Sequence, residues 1–220
     1  RGVVIGQSSD AGHYIQIYWI MGRSENSRNR IFVEEDGFVK TEAFDKERVT
    51  DPSLIIYYPI RSIGRRHIVS NGDQTDTIFE SLKKKETFES ALNRRKFEPD
   101  APHYTPRISG IVDLDDPGLA YKLSILKPVC NNPEYSIRQF FNYEKAIPGV
   151  GHCIHTYAQD GDPLPSFDGE PYLVELPDDI DEAAQFYWET LNEGNRVSLV
   201  AKGIEVETGE TALRIINKNQ

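Results

Sequence analysis

The sequence predicts an α+β domain built on stacked sheets. Strand patterns occupy both ends of the chain, while most of the helix patterns group between them. The segment His13–Met21 is apolar on both faces: Ile15, Ile17, Trp19 and Met21 point one way, Tyr14, Gln16, Tyr18 and Ile20 the other. A strand that can be covered on both sides belongs inside a layered sandwich. No internal repeat and no linker divides the 220 residues, so one domain is expected over 1–220.

Gly2–Gly6 is a short apolar run and reads as the first strand, with His13–Met21 as the second. Arg30–Glu34 and Phe38–Thr41 flank Glu35-Asp36-Gly37, the signature of a tight hairpin. Leu54–Ile63 alternates, with Pro59 demanding an edge, bend or bulge. After a strand at His67–Ser70, the turn Asn71-Gly72-Asp73 leads into a helix reaching about Lys84. Thr87–Lys96 is a second helix, with Phe88, Ala91 and Leu92 on one stripe. Tyr104–Leu114 and Ala120–Leu126 read as strands across the turn at Asp115-Asp116-Pro117-Gly118, and Ile154–Ala158 as another. Asp178–Asn192 is the clearest helix: Ile180, Ala183, Ala184, Tyr187 and Leu191 keep helical spacing, acids fill its first turn and Gly194 follows its end. Arg196–Val206 and Ala212–Ile216 are the final strands.

The charge balance excludes some functions. Twenty-five basic against 35 acidic residues give a net charge of −10, which disfavours non-specific nucleic-acid binding and attachment to an anionic membrane surface. No apolar run approaches the roughly 20 residues that span a bilayer, and no signal-peptide pattern opens the sequence. Two cysteines, Cys130 and Cys153, form neither a CxxC motif nor a disulfide framework, so a reducing, cytoplasmic location is expected.

Against this acidic background, Gly22-Arg23-Ser24-Glu25-Asn26-Ser27-Arg28-Asn29-Arg30 concentrates three arginines, two serines and two asparagines. Arginine forks bind phosphate bidentately, and small hydroxyl and amide groups complete an anion shell. Ser70-Asn71-Gly72-Asp73-Gln74-Thr75-Asp76 joins a strand to a helix, with Asp73 and Thr75 as candidate caps. His152-Cys153-Ile154-His155 invites a metal reading, but on a strand its two histidines point to opposite faces and no third ligand lies near in sequence. No P-loop, GxGxxG or GxSxG motif is present, and Arg1 offers no N-terminal nucleophile.

Together, Arg23-Ser24 with Asn29-Arg30, Tyr57 with Arg61, Ile68-Val69-Ser70-Asn71-Gly72 followed by Thr75-Asp76, and Tyr104-Thr105-Pro106-Arg107-Ile108 resemble the archaeal-type IMP cyclohydrolase family over about the first 115 residues. The resemblance implies a four-layer αββα sandwich of the N-terminal-nucleophile hydrolase type. It also implies the closure of 5-formamidoimidazole-4-carboxamide ribonucleotide to IMP with loss of water. The partner expected is then a small purine nucleotide, with no cofactor and no metal; a homo-oligomer stays open. On this reading Tyr57 protonates or orients the leaving oxygen and Arg61, expected on the same strand face, favours its phenolate. Glu98 is the candidate base, and Arg107 stabilises the oxyanion or holds Glu98. Arg23, Ser24, Arg28 and Arg30 would take the 5′-phosphate, while Asn71, Thr75, Asp76 and Thr105 would contact ribose or base. Two alternatives remain: a hydrolase of the same fold acting on another amide-bearing nucleotide, and a non-catalytic nucleotide-sensing module.

Overall fold

The doubly apolar His13–Met21 segment forms the inner strand that the pattern predicts. In the computed structural model, which describes residues 1–49, 52 and 55–219, it is β2 (His13–Met21), hydrogen-bonded between β1 (Gly2–Gln7) and β12 (Arg196–Glu205). The rest of this first sheet is β10 (Val150–His155), β11 (Tyr172–Glu175) and β13 (Thr211–Asn217), in the order β11-β10-β1-β2-β12-β13. A second sheet runs β3 (Ile31–Glu35), β4 (Phe38–Glu42), β5 (Ile60–Ile63), β6 (Arg66–Ser70), β7 (Arg107–Asp113), β8 (Tyr121–Val129) and β9 (Asn132–Tyr143) in chain order. Every strand pairing in both sheets is antiparallel. At the β3–β4 hairpin, Asp36 and Gly37 have φ of 53° and 75°, the left-handed pair that a type I′ turn requires.

The main core lies between the sheets. Val3, Ile5, Tyr18, Ile20, Val200 and Ile204 from the first meet Phe32, Val39, Ile60, Val69, Ile108 and Leu123 from the second. The alternate residues of β1, β2 and β12, among them Val4, Ile17, Trp19 and Leu199, pack against α4 (Ile180–Thr190). The outer face of the second sheet meets α2 (Gln74–Lys83) and α3 (Phe88–Leu92). The Asp179 side chain caps α4 by accepting from the amides of Asp181 and Glu182 at 2.8 and 3.0 Å.

The expected four-layer αββα sandwich is not what forms. The architecture is two stacked antiparallel sheets of 6 and 7 strands, and the helices among the described residues are short: α1 (Glu25–Arg28) has 4 residues, α2 10, α3 5 and α4 11. These are local covers rather than layers. The expected helix at Thr87–Lys96 is capped by Thr87 and Ser90 but gives out after Leu92, so its apolar stripe is one turn long. Long stretches that carry no helical period became sheet instead, including the 12-residue β9 and the short β11, neither of which the pattern revealed. The expected strand Leu54–Ile63 survives only as β5, because Pro59 precedes the first paired residue; Leu54 lies outside the described residues. No helix of the described residues is long and apolar enough to cross a membrane.

One feature of the inter-sheet core carries a stability cost. Lys202 and Gln16 are register partners on β12 and β2, and Ser62 and His67 are partners on β5 and β6 facing them. The Lys202 ammonium donates to Ser62 Oγ at 2.5 Å and forms no ion pair among the described residues, and burial lowers it to about 8. Its folded-state affinity for a proton is therefore below that of the unfolded chain. Stability should rise with pH between about 8 and the ordinary lysine value near 10.4, where only the unfolded chain stays protonated. Lys202→Met is expected to stabilise the protein by about 1–3 kcal/mol at pH 7, and the gain should shrink as pH rises through that window. Paired melting curves at pH 7 and pH 10 check this; an equal gain at both would assign it to packing.

Candidate active site

Antiparallel pairing brings distant parts of the chain to one end of the sandwich. Arg1 precedes β1, Met21 ends β2, His155 ends β10 opposite Gly2, Arg30 precedes β3, and Asn71 follows β6 beside the start of β7 at Arg107. A cavity of about 690 Å³ opens there, lined by Arg1, Arg23 and Arg30, by Ser24 and Ser27, and by the apolar Trp19, Met21, Leu164 and Leu191. Gly2 makes room for its wall: a Cβ at that position would lie 2.1 Å from the Trp19 indole.

Behind the cavity runs a chain of buried polar groups. Glu98 is 2% exposed, and its carboxylate is ion-paired with the Arg1 guanidinium, which also donates to the carbonyl of Asn71 at 3.2 Å. Burial works against the charge of Arg1, but the Glu98 carboxylate, with the Tyr57 and Tyr18 hydroxyls beyond it, outweighs burial and raises Arg1 above the ordinary arginine range. The Tyr57 and Tyr18 hydroxyls are 2.6 Å apart, and burial raises Tyr18 further above the usual tyrosine value. Tyr57 owes its place to Thr41 on β4, whose hydroxyl accepts from the Tyr57 amide at 2.8 Å and whose own amide donates to the Tyr57 carbonyl at 2.8 Å.

Arg30 is 1% exposed. Its Nε donates to the Ser27 carbonyl at 2.9 Å, while Nη1 is buried with no partner among the described residues. Burial lowers it from the ordinary arginine range; the tyrosine hydroxyls oppose that, and the neighbouring Arg1 charge reinforces it. Two buried guanidiniums with a single carboxylate close by, and an unspent N–H, make the inner end of the cavity a site for an anion.

Arg107 flanks the cluster on the other side. Its Nη1 donates to Gln74 Oε1 at 2.7 Å and lies 2.5 Å from Asp73, whose other oxygen takes Arg95 at 2.5 Å. Asp73 thus makes no side-chain cap to α2, the role its position suggested, because its carboxylate is spent on two arginines. Burial lowers Arg107, with Glu98 and Asp73 acting in the opposite direction. Gly72 lies beneath the guanidinium, where a Cβ would come within 2.5 Å of Nη1.

The structure brings together Tyr57, Glu98, Arg107 and Arg30, and it places Arg23, Ser24 and Thr105 on the cavity wall. Other candidates stand apart. Arg61 does not share a face with Tyr57: the bend at Pro59 interrupts the alternation, and Arg61 emerges on the outer side, ion-paired with Asp76 at 2.7 Å and stacked 3.6 Å from the Phe79 ring. Arg28 turns away to the Gly22 carbonyl at 2.9 Å and Asn195 at 3.2 Å. The Asn71 side chain is buried and engaged, donating to the Pro106 carbonyl and accepting from Ile108 and Gln74. The Thr75 hydroxyl is likewise engaged with Ser70 and the Gly72 carbonyl. These groups shape the turn and the helix start rather than face the cavity.

Arg1, Tyr18 and Asp73 join the cluster without having been singled out by sequence as site residues. Tyr18 was visible on one face of an apolar strand, but nothing local marks its hydroxyl as functional. His152 and His155 do lie on opposite faces of β10, with His152 Nδ1 2.5 Å from the Tyr121 hydroxyl and His155 on the cavity wall beside Cys153. Among the described residues no group of three or more His, Cys, Asp or Glu has metal-binding geometry.

No curated protein matches the chain significantly. The sequence does match the family described as IMP cyclohydrolase-like protein over residues 1–209, which takes in every strand of the two sheets except β13 and every group of the buried cluster. Such membership points to an enzyme with cyclohydrolase-like activity. The chain belongs to the IMP cyclohydrolase-like protein family.

Proposed function

We propose that the protein is an IMP cyclohydrolase, closing 5-formamidoimidazole-4-carboxamide ribonucleotide to IMP. Both reacting groups sit on one imidazole ring, so the enzyme captures no second substrate and its first task is to orient the formyl carbon toward the carboxamide nitrogen. The nitrogen attacks that carbon, a C–N bond forms, and the nitrogen gives up one proton as the formyl oxygen becomes a hydroxyl. The C–O bond then breaks, water leaves, and loss of the proton on the former formamide nitrogen creates the C=N bond.

The observation that carries this reading is Arg30, a buried arginine of the cavity lining whose Nη1 has no partner among the described residues, close to the paired Tyr57 and Tyr18 hydroxyls and the Glu98 carboxylate. Arg30 and Arg1 attract the phosphorylated substrate, with Arg23, Ser24 and Ser27 at the rim. Two hydroxyls sharing one hydrogen bond leave one O–H free, and Tyr57 directs it to the formyl oxygen as that oxygen gains charge. Glu98 accepts the carboxamide proton, and Arg107 balances its charge.

Incubating the pure protein with the formylated ribonucleotide should produce IMP. The cluster consists of arginines, tyrosines and two carboxylates, each already paired with arginine, so turnover should survive exhaustive chelation. Absence of IMP would remove the reaction; a strict requirement for added Zn²⁺ or Mg²⁺ would remove this mechanism.

A further inference from the structure

We propose that Asp100 is the sugar-recognition residue of this cavity, its carboxylate accepting hydrogen bonds from the vicinal hydroxyls of a ribonucleotide's ribose. The proposal rests on the cyclohydrolase reading for the class of ligand and extends it to the ribose, from which the Asn71 and Thr75 side chains are withdrawn, both being buried and bonded within their turn.

Asp100 lines the cavity two residues beyond Glu98, where the Glu98 amide donates to the Thr105 carbonyl at 2.9 Å. Thr105 holds both carboxylate oxygens: its amide donates to Oδ1 at 2.7 Å and its hydroxyl to Oδ2 at 2.5 Å. The Thr105 hydrogen is thereby committed, so the Tyr157 hydroxyl, 2.5 Å from Thr105 Oγ1, is the donor in that contact. The chain Tyr157 to Thr105 to Asp100 ends on the carboxylate and keeps it an acceptor. Each oxygen is anchored once and retains lone-pair capacity.

Asp100 forms no ion pair with lysine or arginine among the described residues, whereas Asp160, the other carboxylate of the lining, is paired with Arg23. An unpaired carboxylate repels the phosphate that the arginines attract, so it must face the neutral part of the ligand. Its two oriented oxygens suit two adjacent hydroxyl donors. The other neutral donors of the substrate, the carboxamide N–H₂ and the formamido N–H, each give up a proton in ring closure.

The test is titration calorimetry with IMP and 2′-deoxy-IMP, products that cannot turn over forward. The wild type should prefer IMP by about ten- to a hundredfold, the range for a hydrogen bond to a charged group. Asp100→Asn, which preserves shape, should reduce that preference to about threefold or less, chiefly by weakening IMP. Thr105→Val, which frees one carboxylate oxygen from its anchor, should reduce it partway and supplies the readout should Asp100→Asn not fold. A wild type that binds both nucleotides equally, or variants that keep the full preference, would overturn the assignment and leave the cyclohydrolase reading standing. If the wild type binds neither nucleotide, both fall together.

Discussion

Replacing Tyr57 by Phe is expected to lower turnover by roughly 10²–10³, the scale of one lost donor to a developing oxyanion, while product affinity changes little. The substitution keeps the ring that packs in the inter-sheet core and removes only the oxygen 2.6 Å from Tyr18. It also strands the Tyr18 hydroxyl in a buried site, which should lower stability by about 1–3 kcal/mol. Tyr18→Phe provides the comparison. If Tyr57 donates to the substrate and Tyr18 only supports it, Tyr18→Phe should cost less in turnover, and the double variant should be no slower than Tyr57→Phe alone. Steady-state kinetics beside melting curves decide the matter. Near-normal turnover with reduced stability would make Tyr57 a core residue and move the proton donor elsewhere.

Arg30→Met should weaken nucleotide binding by about 1.5–3 kcal/mol for each charge-assisted hydrogen bond lost, or roughly ten- to a hundredfold and more. Methionine fills much of the same volume without the charge. Nη1 has no partner among the described residues, and the fold loses only the Nε bond to the Ser27 carbonyl, so the larger loss should fall on the ligand. The dephosphorylated nucleoside should bind variant and wild type alike. Arg23→Met should cost less, since Arg23 is 47% exposed and already paired with Asp160. Equal nucleotide-over-nucleoside preference in wild type and Arg30→Met would mean that the phosphate is held elsewhere.

The sequence by itself determined the elements whose signals are local. A short apolar run placed β1, a segment apolar on both faces placed β2, the Asp36-Gly37 pair placed a hairpin, and helical spacing with acids at the start placed α4. It also determined the surplus of acid against which the arginines near residue 30 stand out. Local signals misled where tertiary context overrode them. The family resemblance implied helical layers, yet α2 and α3 are short covers and the unpatterned β9 went to sheet, because an edge strand half open to solvent needs no strict alternation.

Only the tertiary structure decided which polar groups are free. Asn71, Thr75, Arg28 and Arg61 have the right chemistry for a ligand but are consumed by carbonyls, hydroxyls and the Asp76 carboxylate. Arg30 lies two residues beyond Arg28, the last residue of α1, and keeps an N–H that has no partner among the described residues. Residue type sets what a side chain can donate or accept. Whether that capacity is left over for a ligand depends on neighbours that the stacking of the two sheets brings from 70 to 100 positions away, as it brings Asn71 and Glu98 to Arg1.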